Sequence, residues 1–188
     1  MSAYHKPVML QECLEGLAIK PDGVYVDVTF GGGGHSKAIL QQLDGGHLYA
    51  FDQDEQAREN AEDIDKRSFT LIASNFRYLK RYLKMHGISK VDGILADLGV
   101  SSHQIDDPSR GFSTRFDGDL DMRMDLSADV DAQTVINTYS EKDLHRILGM
   151  YGEVKNAKTL ASAIASQRIN QPINTVEDFK HILNRYAK

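Results

Sequence analysis

Through the first hundred residues, short apolar runs alternate with stretches whose apolar positions recur every three or four residues. The run Val24-Tyr-Val-Asp-Val28 predicts a strand, followed by Thr29-Phe30 and four glycines that predict a tight turn. A helix over about 36–43 follows, with Ala38, Ile39 and Leu43 on one face, and Gly45-Gly46 ends it. Three further strands are predicted at His47-Leu-Tyr-Ala-Phe51, Phe69-Thr-Leu-Ile72 and Val91-Asp-Gly-Ile-Leu-Ala-Asp97, separated by a charged helix over about 55–64 and another over 78–85. Strands alternating with helices of about ten residues imply βαβ units with right-handed crossovers in a doubly wound parallel sheet.

The strand pattern stops at Asp97. Residues 106–125 are rich in Asp and Arg with few periodic apolar positions, and predict a long loop. Helical spacing then returns over 132–139, 141–150, 157–168 and 176–186. Ser140 with Asp143, and Thr175 with Asp178, are predicted N-caps, because the hydroxyl accepts from an orphan amide and the carboxylate suits the positive helix end. The expected division is an α/β part over 1–105 and a helical part over 106–188. Four strands form only half of a doubly wound nucleotide-binding sheet, so the fourth becomes an edge with Ile94 and Leu95 to cover. Truncation of a longer protein is the preferred reading over coverage by the helical tail or by a partner.

Composition narrows the classes. With 188 residues, 41% of them apolar, the chain can form one cored domain with a satellite, and no apolar run approaches a membrane span. Residues 1–20 contain no apolar signal core, and the single cysteine, Cys13, excludes an internal disulfide or a cysteine-based zinc cluster. A reducing, cytoplasmic setting is expected, with no metal site, since the seven histidines are scattered. The formal charge is −5, so any nucleic-acid role must rest on a local patch rather than on overall basicity. Residues 139–188 carry eight Lys/Arg against five Asp/Glu, a surplus of three that leaves −8 on the first 138 residues. Arg77, Lys80, Arg81 and Lys84 form a basic stripe at helical spacing; a solvated helix face is its plainer reading and RNA contact the sharper one.

The strongest chemical signal is Asp27-Val-Thr-Phe-Gly-Gly-Gly-Gly34-His35-Ser36 at a strand-to-helix turn, where glycine lets a ligand approach the backbone. Asp52 lies eighteen residues past Gly34, at the end of the next strand, where a carboxylate can accept both hydroxyls of an adenosine ribose. A dinucleotide would bring its pyrophosphate against Asp27, whereas S-adenosylmethionine brings an ammonium and a sulfonium. No Gly-Lys-Ser/Thr is present, which excludes a P-loop. A methyltransferase-type pocket is therefore expected.

Three long, colinear segments then resemble one family. They are Thr29-Phe-Gly-Gly-Gly-Gly-His-Ser36, Asp97-Leu-Gly-Val-Ser-Ser-His-Gln104 and Arg110-Gly-Phe-Ser-Thr-Arg-Phe-Asp-Gly-Asp-Leu-Asp-Met-Arg-Met124, joined by the opening His5-Lys-Pro-Val-Met-Leu10 and by Tyr151-Gly-Glu153. They resemble the ribosomal RNA small subunit methyltransferase H family, also called MraW. The resemblance implies a class I, Rossmann-like methyltransferase fold, here its N-terminal half, with an inserted α-helical subdomain on the substrate side. It also implies S-adenosylmethionine-dependent N4-methylation of a cytidine in 16S rRNA of the small ribosomal subunit, and leaves room for a homodimer. The family's chains continue past the equivalent of Lys188 with further strands and a Ser-Phe-His-Ser-type segment.

Carried over by position, the resemblance implies cofactor contacts at Gly33, Gly34 and His35, the ribose at Asp52, the adenine side at Phe76, and the rest of the pocket at Asp97 and Gln104. Phe76 has a core reading, but its polar neighbours Ser74-Asn75 favour a pocket rim; for His35, amide-and-ring contact with the methionine carboxylate is preferred over a plain first-turn helix residue. Asp97 is either the acceptor for the target amine or a cofactor contact. The 106–125 segment, with Arg110, Arg115 and Arg123 among six aspartates, reads by composition as a solvated, self-paired loop; the resemblance turns that reading into a loop at the mouth of the site. Two other classes stay open: a nicotinamide-dependent oxidoreductase, and a non-catalytic RNA-binding or assembly module.

Overall fold

A computed structural model describes residues 7–187; His5 and Lys6 of the opening motif lie outside them. Contacts divide the chain into two compact units, one running to Ser101 and taking in Met124–Leu126, the other formed by Ser102–Arg123 and the residues from Ser127 onward.

The first unit holds a four-stranded parallel sheet, β1 (Val24–Asp27), β2 (His47–Asp52), β3 (Phe69–Ala73) and β4 (Gly93–Leu95), in the order β3-β2-β1-β4. Helices α1 (Leu10–Leu17), α2 (Gly34–Leu40) and α3 (Leu79–Met85) accompany it. This is an α/β, Rossmann-like arrangement. Tyr25 and Leu48 point into one buried cluster with Phe30, Ile39 and Phe69, while Val26, Tyr49 and Phe51 point into another with Ile72 and Leu83. Alternate residues of each strand thus serve opposite faces, and both faces are covered, which is why the strands read as continuous apolar runs.

Two elements differ from expectation. The charged segment after β2 is a 3₁₀ helix over Glu55–Ala61, not an α-helix. Among its described side chains only the small Ala57 and Ala61 are buried, so no broad apolar stripe holds an α-helical register. The fourth strand is three residues long rather than seven. Its ladder with β1 ends where Val28 N–H donates to the Leu95 carbonyl at 3.0 Å, and the next strand-side bond is made by a side chain instead, Asp97 N–H to Thr29 Oγ1 at 2.8 Å. As expected, β4 is the sheet edge; Ile94 is half exposed while Leu95 is buried.

The second unit contains α4 (Ser102–Asp106), α5 (Ala132–Thr138), α6 (Glu141–Met150), α7 (Ala157–Asn170) and α8 (Val176–Tyr186). Leu120, Ile136, Leu144, Leu160, Ile164, Ile173 and Ile182 form its core. Ser140 caps α6 by accepting from Asp143 N–H, and Thr175 with Asp178 closes a full capping box at α8. The short α4 was not apparent from periodicity. The arginines of the long loop are paired within their own unit: Arg115 with Asp106 and Arg123 with Asp121, each at 2.6 Å, while the buried Arg110 guanidinium donates to the Arg123 carbonyl at 2.9 Å. The loop is self-paired, as composition suggests, but it is not solvated throughout, since Arg110, Ser113 and Leu120 are buried.

Candidate functional site

The carboxyl ends of all four strands carry the chemically distinctive residues of the first unit. Asp27 stands in register with Ala50 of β2 and Leu95 of β4, and Asp52 with Ala73 of β3. The turns leaving β1, β2, β3 and β4 therefore bring the glycines, Asp52, Phe76 and Asp97 to one edge. The strand order reverses between β1 and β4, and an open α/β sheet binds ligands at such a switch point.

Asp27 is nearly inaccessible, at 1% exposure. One oxygen accepts from Thr29 N–H at 3.0 Å and from Thr29 Oγ1 at 3.3 Å; the other accepts from the buried Ser36 hydroxyl at 2.7 Å. The first contact is an Asx turn, a side chain bonding its own backbone two residues on. Burial pushes the Asp27 carboxyl above its ordinary value, against the lowering effect of these hydrogen bonds. Sequence reasoning aimed this carboxylate at a ligand cation. The structure shows it tying the end of β1 to the first turn of α2.

Within that turn, Gly33 has φ +74°, and a Cβ there would stand 2.9 Å from the Phe30 ring. Its N–H is already used, donating to the Phe30 carbonyl at 2.8 Å. Gly33 therefore serves by conformation. A Cβ on Gly34 would collide with the Pro7 ring, whereas one on Gly32 would meet open space, which places the open side of the turn over Gly31-Gly32. Gly34 and His35 begin α2, where the first N–H groups have no acceptor within the helix. The His35 ring is buried and its Nε2 is within 3.0 Å of the Val8 carbonyl. The imidazole thus fastens α2 to the segment that leads into α1.

Asp52 is half-buried, and each oxygen accepts one backbone N–H, from Gly31 at 2.7 Å and from Asp54 at 2.9 Å. A carboxylate has about four acceptor positions, so two remain for a diol. Gly31 is held from its other side by Asn60, whose amide donates to the Gly31 carbonyl at 3.1 Å. Phe76 opens the 3₁₀ turn after β3 and is 43% exposed, which decides against a core role. Asn75 caps that turn and donates to Gln53 at 2.7 Å, linking the Phe76 turn to the residue after Asp52. Asp97 is exposed, its N–H fixed by Thr29 Oγ1. The side-chain links from Ser36, Thr29, Asn60 and Asn75 were missed by sequence reasoning; only Thr29 had a local signal, its place two residues after an aspartate.

Gln104 lies in the second unit, on α4, and is buried there. Among the described residues there is no cluster of three His, Cys, Asp or Glu able to hold a metal ion, and no helix long and apolar enough to cross a membrane.

The edge so described combines an open glycine turn, a diol-ready carboxylate and an exposed aromatic ring, which suits an adenosine-containing ligand. The sequence matches the MraW methylase family over residues 2–188. The chain belongs to that family. Curated relatives bear the name ribosomal RNA small subunit methyltransferase H. One from Cytophaga hutchinsonii is 61% identical over 184 residues, covering 98% of this chain and 62% of the relative. Others from Flavobacterium johnsoniae and Bacteroides fragilis are 58% and 54% identical, over 97% of this chain and 60% of each relative. The chain thus spans about three-fifths of the length of these MraW-family relatives.

Proposed function

We propose that this chain holds the S-adenosylmethionine site of a methyltransferase that modifies N4 of a cytidine in 16S rRNA of the small ribosomal subunit. Support comes from the names of its relatives, which act on small-subunit ribosomal RNA by name. The observation that carries the reading is the Asp52 carboxylate, locked to Gly31 N–H at 2.7 Å beside the open glycine turn with acceptor positions to spare. In this reading Asp52 takes the two ribose hydroxyls, Phe76 covers the adenine side, and the N–H groups of Gly34 and His35 meet the methionine carboxylate. Gly33 gives the turn its shape. S-adenosylmethionine, when bound, supplies a methyl group made electrophilic by its sulfonium.

The protein's own task is then to position and activate the amine. Cytosine N4 is a poor nucleophile because its lone pair is delocalised into the ring. Asp97, or a backbone carbonyl beside it, accepts an N–H of that amine and returns electron density to the nitrogen. The bond from Asp97 N–H to Thr29 Oγ1 fixes this turn relative to the glycine turn, and in-line placement supplies much of the rate. Asp97 as a cofactor contact is the second assignment consistent with its exposed place at the β4 tip. The target base must leave its stack to be reached, so the substrate is single-stranded or flipped RNA.

Replacing Asp52 by Ala tests the pocket. Loss of a charged acceptor of two hydroxyls is expected to weaken S-adenosylmethionine binding roughly tenfold to a hundredfold in a calorimetric titration. Unchanged affinity would remove Asp52 from the site. For Asp97, comparing Asn and Ala variants for cofactor affinity and for transfer of labelled methyl to small ribosomal subunits separates the two roles. Affinity and transfer both unchanged would sink either one.

A further inference from the structure

The basic stripe noted in the sequence forms a built surface. Arg77, Lys80, Arg81 and Lys84 are all exposed along the 3₁₀ turn Phe76–Tyr78 and α3, and together with Tyr78 and Met85 they line one shallow, open groove on the outer face of that segment. Among the described residues none of the four cations is paired with a carboxylate. Arg67, Arg115, Arg123 and Lys180, by contrast, are each within 2.7 Å of an acid. Four unpaired cations on one short segment stand out in a stretch of 138 residues that carries a net charge of −8.

The groove is not only charged. Tyr78 is 47% exposed, with the Arg77 guanidinium 5.4 Å from its ring centre, and Met85 is 71% exposed. The aliphatic stems of Lys80, Arg81 and Lys84 complete an apolar floor beneath charged heads. A polyanion carrying flat aromatic groups fits both properties, with phosphates at the cations and a base on the tyrosine. An anionic membrane surface fits less well. A membrane-lying helix needs its apolar face for the lipid, and here Leu79, Tyr82 and Leu83 are committed to the sheet cluster of Val26, Tyr49 and Phe51. The groove also starts at the residue after Phe76, so a strand lying in it passes the proposed adenine wall.

We infer that this groove is a docking track for the phosphate backbone of single-stranded RNA, stacking one base on Tyr78 and leading the strand toward the strand-tip site. The inference rests on the reading of an RNA substrate. Its test, however, uses binding rather than turnover.

The 188-residue chain is titrated into a short fluorescent single-stranded RNA of mixed sequence at several salt concentrations. Four phosphate contacts predict a slope of log affinity against log salt near −3, from roughly −0.7 per contact. Changing Lys80 and Lys84 together to Ala is expected to flatten that slope by about 1.4 and to weaken binding on the order of 20-fold at moderate salt. The same pair changed to Gln guards against an effect of alanine on the helix and should match it. Tyr78→Ala is expected to lower affinity about tenfold while leaving the slope unchanged, because stacking releases no counterions.

No RNA binding by the unaltered chain, or an unchanged slope and affinity in both lysine double variants, would overturn the inference. So would lysine-dependent binding to phosphatidylserine vesicles in place of RNA. Titrating the same samples with S-adenosylmethionine keeps the two proposals apart. Stripe-dependent RNA binding without cofactor binding would uphold the track while defeating the cofactor reading, and the reverse pattern would do the opposite.

Discussion

Replacing Asp27 should unfasten the glycine turn, and its consequences can be worked from the structure. Its carboxylate is the acceptor for the Ser36 hydroxyl, which is fully buried, and for the Thr29 N–H. Asp27→Ala leaves the buried hydroxyl without its acceptor, a loss of about 1–3 kcal/mol, and removes a part-buried backbone bond worth about 1 kcal/mol. A total near 2–4 kcal/mol is expected. Asp27→Asn retains an oxygen for Thr29 N–H and offers its amide to Ser36 Oγ as acceptor, so about 1 kcal/mol is expected.

The pH dependence separates the two forms further. Burial raises the folded-state pKa above the ordinary 3.8, so the folded protein holds this proton to higher pH than the unfolded chain does. The stabilisation from that proton is fully present below the unfolded value and is lost as pH rises through the folded one. Relative to Asp27→Asn, the unaltered protein should therefore gain stability as pH falls through its raised folded-state value towards the ordinary 3.8. Urea denaturation followed by circular dichroism gives the free energies, and amide exchange along β1 reports the local effect in the first unit. An alanine variant within about 0.5 kcal/mol of the original, or parallel pH curves for Asp and Asn, would refute the reasoning.

Three other substitutions probe separate links. Gly33→Ala combines a positive φ with a Cβ 2.9 Å from the Phe30 ring, and is expected to cost about 1–3 kcal/mol in thermal stability and to weaken cofactor binding; equal melting and affinity would contradict the turn geometry. Thr29→Val removes the acceptor of Asp97 N–H, so that amide should exchange faster with a stability loss of about 1 kcal/mol, while Thr29→Ser keeps the original rate. Thr175→Ala opens the capping box of α8 and should lower the protection of its first-turn amides by about 1 kcal/mol without touching β1.

What could be read from the sequence was whatever depends on near neighbours. Strands β1 to β3 announced themselves because both sheet faces are buried, and the N-caps at Ser140 and Thr175 because a cap is a four-residue pattern. Asp52 was legible as a strand-end carboxylate, since a βαβ unit sets its distance from the glycines. The role of Asp27 was not, because its decisive partner, Ser36, stands nine residues on and meets it only once α2 has folded back over β1. The contact of the His35 ring with the Val8 carbonyl was hidden for the same reason, since the two lie 27 residues apart. The length of β4 was obscured because a threonine side chain takes over from the backbone ladder at Asp97. The 3₁₀ geometry of 55–61 escaped because charge spacing alone does not reveal how little apolar surface is buried there.

The central claim is that the strand tips around Gly31–His35 and Asp52 hold S-adenosylmethionine. The most direct measurement is a calorimetric titration of this chain with S-adenosylmethionine, with NAD as control ligand. Saturable, one-to-one binding of S-adenosylmethionine alone is the predicted result. Binding of NAD in its place, or of neither ligand, would contradict the account.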